Sequence, residues 1–97
     1  MEELLTQEQF NDAITTNNIV LIDFFAPWCG PCRMLTPMLS NINVTKFKVN
    51  IDNFPDLAAK FNITTIPTVI IFNDGIIVET IIGVKPINVY QEIIDKL

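Results

Sequence analysis

Histidine is absent from the 97 residues, which removes the side chain that most often serves as a base near neutral pH or as a metal ligand. Cysteine occurs only twice. A structural zinc site draws on four Cys or His ligands and an iron–sulfur cluster on four thiolates, so this chain alone furnishes neither. Basic residues are scarce as well: six Lys and Arg face eleven Asp and Glu, a net charge of −5 with no basic run. That balance excludes the footprint of a nucleic-acid binder and disfavours anionic membrane surfaces. No uncharged run supplies the ~18 apolar residues of a membrane span; Ile63–Asn73, for example, is interrupted by Thr, Pro and Asn. Met1-Glu2-Glu3 does not open a secretory signal, and Asp95-Lys96-Leu97 matches no retention tetrapeptide, so the expected compartment is the cytoplasm.

What is present is apolar. At 49% hydrophobic and 18% charged residues, the chain cannot be an intrinsically disordered one. Its length predicts a single domain over residues 1–97. Thr6-Gln7-Glu8-Gln9 fits a capping box, with Leu5 and Phe10 as its flanking hydrophobic staple and Phe10, Ala13 and Ile14 on the inward face. Ile19–Phe25 is a nearly continuous apolar run and predicts a central strand covered on both faces. Pro31 opens a second helix, which Pro37 should bend. Phe47–Ile51 alternates as a strand, and Pro55 starts a short helix carrying Leu57, Ala58 and Phe61. Thr68–Phe72, Asn73-Asp74-Gly75 and Ile76–Val78 predict a β-hairpin. Pro86 opens a last helix whose inward face is Val89, Tyr90, Ile93, Ile94 and Leu97. Strands alternating with helices imply parallel pairing, and the hairpin adds antiparallel pairing, which together give an α/β fold with a mixed sheet between helices.

The two cysteines stand in Trp28-Cys29-Gly30-Pro31-Cys32, at the end of the apolar strand and the start of a helix. A purely structural disulfide closing so short a loop gains only ~2 kcal/mol in the chain-entropy model, and a reducing compartment would open it. A redox role explains the spacing better. Residues three apart on a helix have Cβ atoms ~5–6 Å apart, and a disulfide needs ~3.5–4.5 Å. Gly30 can supply backbone freedom to close that gap, and Pro31 fixes its own φ without leaving an N–H unsatisfied. Cys29 lies where free backbone N–H groups and the positive end of the helix dipole favour a thiolate, the nucleophilic form. Cys32, one turn further in, should be shielded and suited to resolve a mixed disulfide. Two other classes remain open: a Cu(I)-binding module using both thiolates, and a redox-independent module that binds a partner through an apolar face around Trp28.

With Val20–Ala26 before the motif and Ile66-Pro67-Thr68 before the hairpin, the chain resembles the thioredoxin family in order and approximate spacing along essentially its whole length. The resemblance implies a mixed central sheet flanked by four helices on both faces. It implies that Cys29 attacks a substrate disulfide, that Cys32 resolves it, and that the two cycle through a Cys29–Cys32 disulfide with no bound cofactor or metal. Gly30 and Pro31 would keep the redox potential low. Electrons would come from NADPH through a flavoprotein reductase, thioredoxin reductase, and pass to disulfide-containing proteins; a monomer is expected. Asp23 would accept the proton of Cys32, and Lys48 on the adjacent strand would pair with Asp23. Read from the residues alone, Asp23 could also be a strand-end group facing water, and Lys48 a solvated strand charge. An X–Pro bond is usually trans, but the resemblance implies a cis bond at Pro67, with the Ile66 backbone pairing to an extended substrate. Trp28, Pro31, Ile66, Pro67, Gly83 and Val84 would form the docking surface, although Trp28 also suits a core aromatic. Three departures from the family stand out: a shortened stretch between Leu39 and Lys46, which should end the second helix early; Phe25 where many relatives have Trp; and Pro27 where many have an acidic residue.

Overall fold

The computed structural model describes residues 1–97. Ten-residue helix α1 (Gln7–Thr16) follows a two-residue strand β1 (Glu2–Glu3); strand β2 (Ile19–Phe25) leads to helix α2 (Gly30–Leu39). Strand β3 (Thr45–Asn50) runs into a single 3-10 turn (Ile51–Asn53) and the short helix α3 (Pro55–Lys60). Strands β4 (Thr68–Asn73) and β5 (Ile76–Ile82) form the hairpin, and helix α4 (Ile87–Asp95) ends the fold. The five strands lie in the order β1-β3-β2-β4-β5, with β3 parallel to β1 and β2, and β4 antiparallel to β2 and β5. The apolar run of β2 therefore occupies the middle of the sheet, and its five inner residues are all buried.

Strand alternation sorts the core into two layers. Val20, Ile22, Phe24, Ile70 and Phe72 face one side and pack with Phe10 and Ala13 of α1 and Leu57 of α3. Leu21, Val69 and Ile71 face the other, against Leu35 and Leu39 of α2 and Tyr90 and Ile94 of α4. Four helices thus cover both faces, and Asp23, in phase with Leu21, is set toward α2.

Local chemistry departs from expectation in small ways. Thr6 caps α1 by accepting the N–H of Gln9, but Gln9 Oε1 accepts from Leu5 N at 2.7 Å and not from Thr6. Leu5 is 64% exposed, and it is Leu4 that joins Phe10 in the core. The staple is therefore displaced by one residue, because β1 pairing and the Leu4 N–H bond to Lys48 O aim Leu4 inward. Leu97 likewise lies beyond α4 and is exposed; Ile87 takes a place on the inner face. Pro37 stands inside α2, which ends at Leu39. The hairpin turn is the two-residue kind, with Asp74 and Gly75 both at positive φ (53° and 80°), the pattern that matches strand twist. Register shifts between Ile71 and Phe72 leave Val78 as the extra residue of a bulge in β5.

Candidate active site

Cys29 is the N-cap of α2 and is 5% exposed; Cys32, in the first turn, is 1% exposed. The two form a disulfide across a Cα–Cα distance of 5.3 Å. Cys29 Sγ accepts the Cys32 backbone N–H at 3.2 Å. The sulfur itself thus fills the role that a Ser or Asp oxygen plays at other helix starts. Pro31 sits in the first helical turn, where its missing N–H leaves no gap. Gly30 is not at positive φ, and a Cβ there would meet only Arg33 Nη2 at 4.0 Å. In the disulfide form, then, Gly30 supplies an uncluttered surface beside the sulfurs and not backbone freedom.

Asp23 is fully buried, which overturns the reading of a strand-end group facing water. Its Oδ2 accepts the Thr36 hydroxyl proton at 2.8 Å, and its Oδ1 has no partner. Burial pushes the Asp23 carboxyl up to about 6, against weaker downward pulls from the Thr36 hydrogen bond and the Lys48 charge. Lys48 is the register partner of Asp23 across β2 and β3. Its ammonium lies over the Phe25 ring, 5.2 Å from the centroid. Lys48 therefore acts on the carboxyl as a charge on the neighbouring strand, while the contact to Asp23 is made by Thr36. A pocket of about 310 Å³ opens beside the second cysteine, lined in part by Phe25, Cys32, Arg33, Thr36 and Lys48.

On the other side of the disulfide, the Ile66–Pro67 peptide bond is cis, as the family resemblance implies and bond statistics alone do not. The Ile66 carbonyl oxygen is 3.8 Å from Cys29 Sγ. Pro67 is buried and Ile66 half-buried, so Ile66 offers backbone and side chain while Pro67 shapes the loop from beneath. Gly83, at φ 84°, donates its N–H to Pro67 O at 2.8 Å, which brings Gly83 and half-buried Val84 beside that loop. Trp28 is 67% exposed and is no core aromatic; its indole N–H donates to Asp52 Oδ2 at 3.1 Å.

Three contributors escaped the sequence reading. Met34 is a large apolar side chain exposed on α2, one turn beyond Gly30 and Pro31. Asp52 anchors Trp28 from 24 residues away, which no local pattern announces. Thr36 lies four residues after Cys32, so helical spacing did offer a signal that it shares the Cys32 face.

A family model described as Thioredoxin matches residues 2–96. The thioredoxin of Chlamydia trachomatis is 44% identical over 101 residues, spanning 99% of this chain and 98% of that protein. The thioredoxin of Bacillus subtilis is 37% identical over 97 residues, spanning 94% and 92%. Among solved structures, a Plasmodium falciparum thioredoxin superimposes with a TM-score of 0.89 at 29% identity, covering 100% of both chains. Mitochondrial thioredoxin 3 of Saccharomyces cerevisiae gives 0.84 at 32% identity, covering 98% of this chain and 94% of that one. With a redox pair capping α2, a buried carboxyl behind it and matches along nearly its whole length, the chain belongs to the thioredoxin family of thiol–disulfide oxidoreductases.

Proposed function

We propose that the chain reduces disulfides in other proteins, with Cys29 as the attacking thiolate and Cys32 as the resolving thiol. The observation that carries this assignment is the position of Cys29 at the α2 N-cap, with its sulfur accepting a backbone N–H. Backbone donors and the helix dipole stabilise negative charge at that atom. In the first step the Cys29 thiolate forms a bond to one substrate sulfur, and the substrate S–S bond breaks to release the other as a thiolate. In the second, Cys32 loses its proton to Asp23 and attacks Cys29 Sγ, forming the Cys29–Cys32 disulfide and releasing the second substrate thiolate. Two electrons pass from the cysteine pair to the substrate, and the departing thiolates take up protons.

The substrate segment would run extended along the Ile66 backbone, between Trp28 and Pro31 on one side and Gly83 and Val84 on the other, with Pro67 beneath. Gly30 and Pro31 would hold the potential low enough for reduction. The dithiol would be restored by thioredoxin reductase drawing on NADPH. The protein would act as a monomer of one domain in the cytoplasm, where a reductant of this kind has its use. No helix is long and apolar enough to cross a membrane.

Reduction of insulin disulfides by dithiothreitol tests the assignment. The chain should accelerate it, and Cys29→Ser and Cys32→Ser should each abolish the acceleration. Tight Cu(I) binding without acceleration would instead favour a metal carrier. Iodoacetamide labelling of the reduced protein should alkylate Cys29 well before Cys32 at mildly acidic pH; equal labelling of both would remove the division of roles.

A further inference from the structure

The Thr36 hydroxyl touches two acceptors at once. It lies 2.8 Å from Asp23 Oδ2 and 3.1 Å from the Cys32 carbonyl oxygen. A hydroxyl has one proton to donate, and a carboxylate is the stronger acceptor, so in the ionised state that proton belongs to Oδ2, the shorter contact. Oδ1 is buried without a partner. With Oδ2 occupied, Oδ1 is the oxygen left to receive a proton.

We propose that Thr36 is a positioning residue for the second exchange step, tying the Asp23 carboxylate to the helical turn that carries Cys32 and fixing which carboxylate oxygen takes the proton. The proposal rests on the reading of Asp23 as the proton acceptor. Once Asp23 is protonated its oxygens accept more weakly, and the Thr36 proton can turn to the Cys32 carbonyl oxygen already within reach. Neither state of Asp23 leaves the hydroxyl without an acceptor, so the proton is gained and lost with little rearrangement. Thr36 also lines the pocket beside Cys32, which places it between the carboxyl and solvent. The other groups acting on Asp23 are Lys48 of β3, which favours its ionised form, and Tyr90 of α4. Burial pushes the Tyr90 phenol up, so it stays neutral over the acidity range of interest. From α2, the Cys32 turn is joined to the carboxyl through the Thr36 hydroxyl.

The test compares wild type, Thr36→Val, Thr36→Ser, Asp23→Asn and the Asp23→Asn/Thr36→Val double variant. The reduced proteins are mixed with an aromatic disulfide that releases one coloured thiolate at each step, and the second phase is followed against pH. In parallel, carbon-13 NMR follows the Asp23 carboxyl directly. Thr36→Val keeps the branched shape but removes the donor, so the carboxyl titration should move up by about one pH unit, the scale of a lost hydrogen bond to a charged group. The second phase should slow about fivefold near pH 6 and change little near pH 8, as a one-unit shift requires. Thr36→Ser should restore both readouts, and the double variant should match Asp23→Asn. If Asp23→Asn removes the pH dependence while Thr36→Val leaves both readouts at wild-type values, the role of Thr36 is overturned and that of Asp23 stands. If Asp23→Asn leaves the second phase unaltered, both fall. Equal slowing at every pH that Thr36→Ser does not restore marks a packing defect and overturns the proposal.

Discussion

A carboxyl whose pKa is near 6 when folded, against an ordinary 3.8, binds its proton more tightly in the native state than in the unfolded chain. Between those two values the native state carries more protons, so stability falls as pH rises through the window and stays low above it. A shift of about two units corresponds to roughly 3 kcal/mol. Asp23→Asn should therefore stabilise the protein by on the order of 2–3 kcal/mol at pH 8, with the gain vanishing near pH 4. Urea unfolding at the two pH values measures this directly, and equal stability of variant and wild type at pH 8 would refute the desolvation account. Trp28 shows the opposite balance. It is mostly exposed and held only by its indole N–H, shared between the two Asp52 carboxylate oxygens, so Trp28→Ala should cost less than about 1 kcal/mol of stability. Substrate encounter should suffer instead, visible as a raised KM in the insulin assay. Asp23 was legible in the sequence because a charge in an apolar strand is anomalous. Thr36 was legible only in part: its spacing sets it on the Cys32 face of α2, but its bond to Asp23 on β2 is a tertiary contact that no local pattern announces.

At the scale of elements, the loop from Gly83 to Lys85 is held at both ends. The Gly83 N–H bonds Pro67 O, and the Tyr90 hydroxyl accepts from Lys85 N at 3.2 Å and lies 3.4 Å from Gly83 O. A Cβ at Gly83 would touch nothing within 4 Å, yet φ there is 84°. The cost of Gly83→Ala is thus one of backbone conformation, about 1–2 kcal/mol, and it falls on a loop proposed to contact substrate. Thermal unfolding should register the modest loss, and KM should rise more than kcat falls. Elements with strong local chemistry were readable from sequence: Asp74-Gly75 favours positive φ, Pro31 opens a helix, and the apolar, β-former-rich run Ile19–Phe25 suggests a covered strand. What failed depended on neighbours. Leu4 and Leu5 are chemically equal, and only the pairing of β1 with β3 decides which is buried. The Val78 bulge likewise answers to the register of β4, which no stretch of β5 announces.

For the whole molecule, the two-layer arrangement separates stability from chemistry. Phe10 is the hub of one layer, its ring 5.7–6.3 Å from those of Phe24, Phe61 and Phe72. It belongs to the layer on the far side of the sheet from α2. Leu35 belongs to the other layer, fully buried on α2 one turn beyond Cys32. Truncating either residue to Ala removes comparable buried surface and should cost roughly 2–5 kcal/mol, a large share of the ~5–15 kcal/mol that holds a domain together. The two losses should differ in their reach. Interiors are packed densely enough to transmit small shifts to adjoining groups, so Leu35→Ala should relax the turn carrying Cys32 and its link through Thr36 to Asp23. Phe10→Ala should lower Tm by roughly 10 °C or more while leaving the rates of both exchange steps near wild type below its melting range. Leu35→Ala should lower Tm similarly and slow the second step selectively. Two-phase exchange kinetics measured well below both melting transitions decide the matter. Equal slowing in the two variants would mean that the sheet couples its faces, and that the redox site draws its geometry from the entire core.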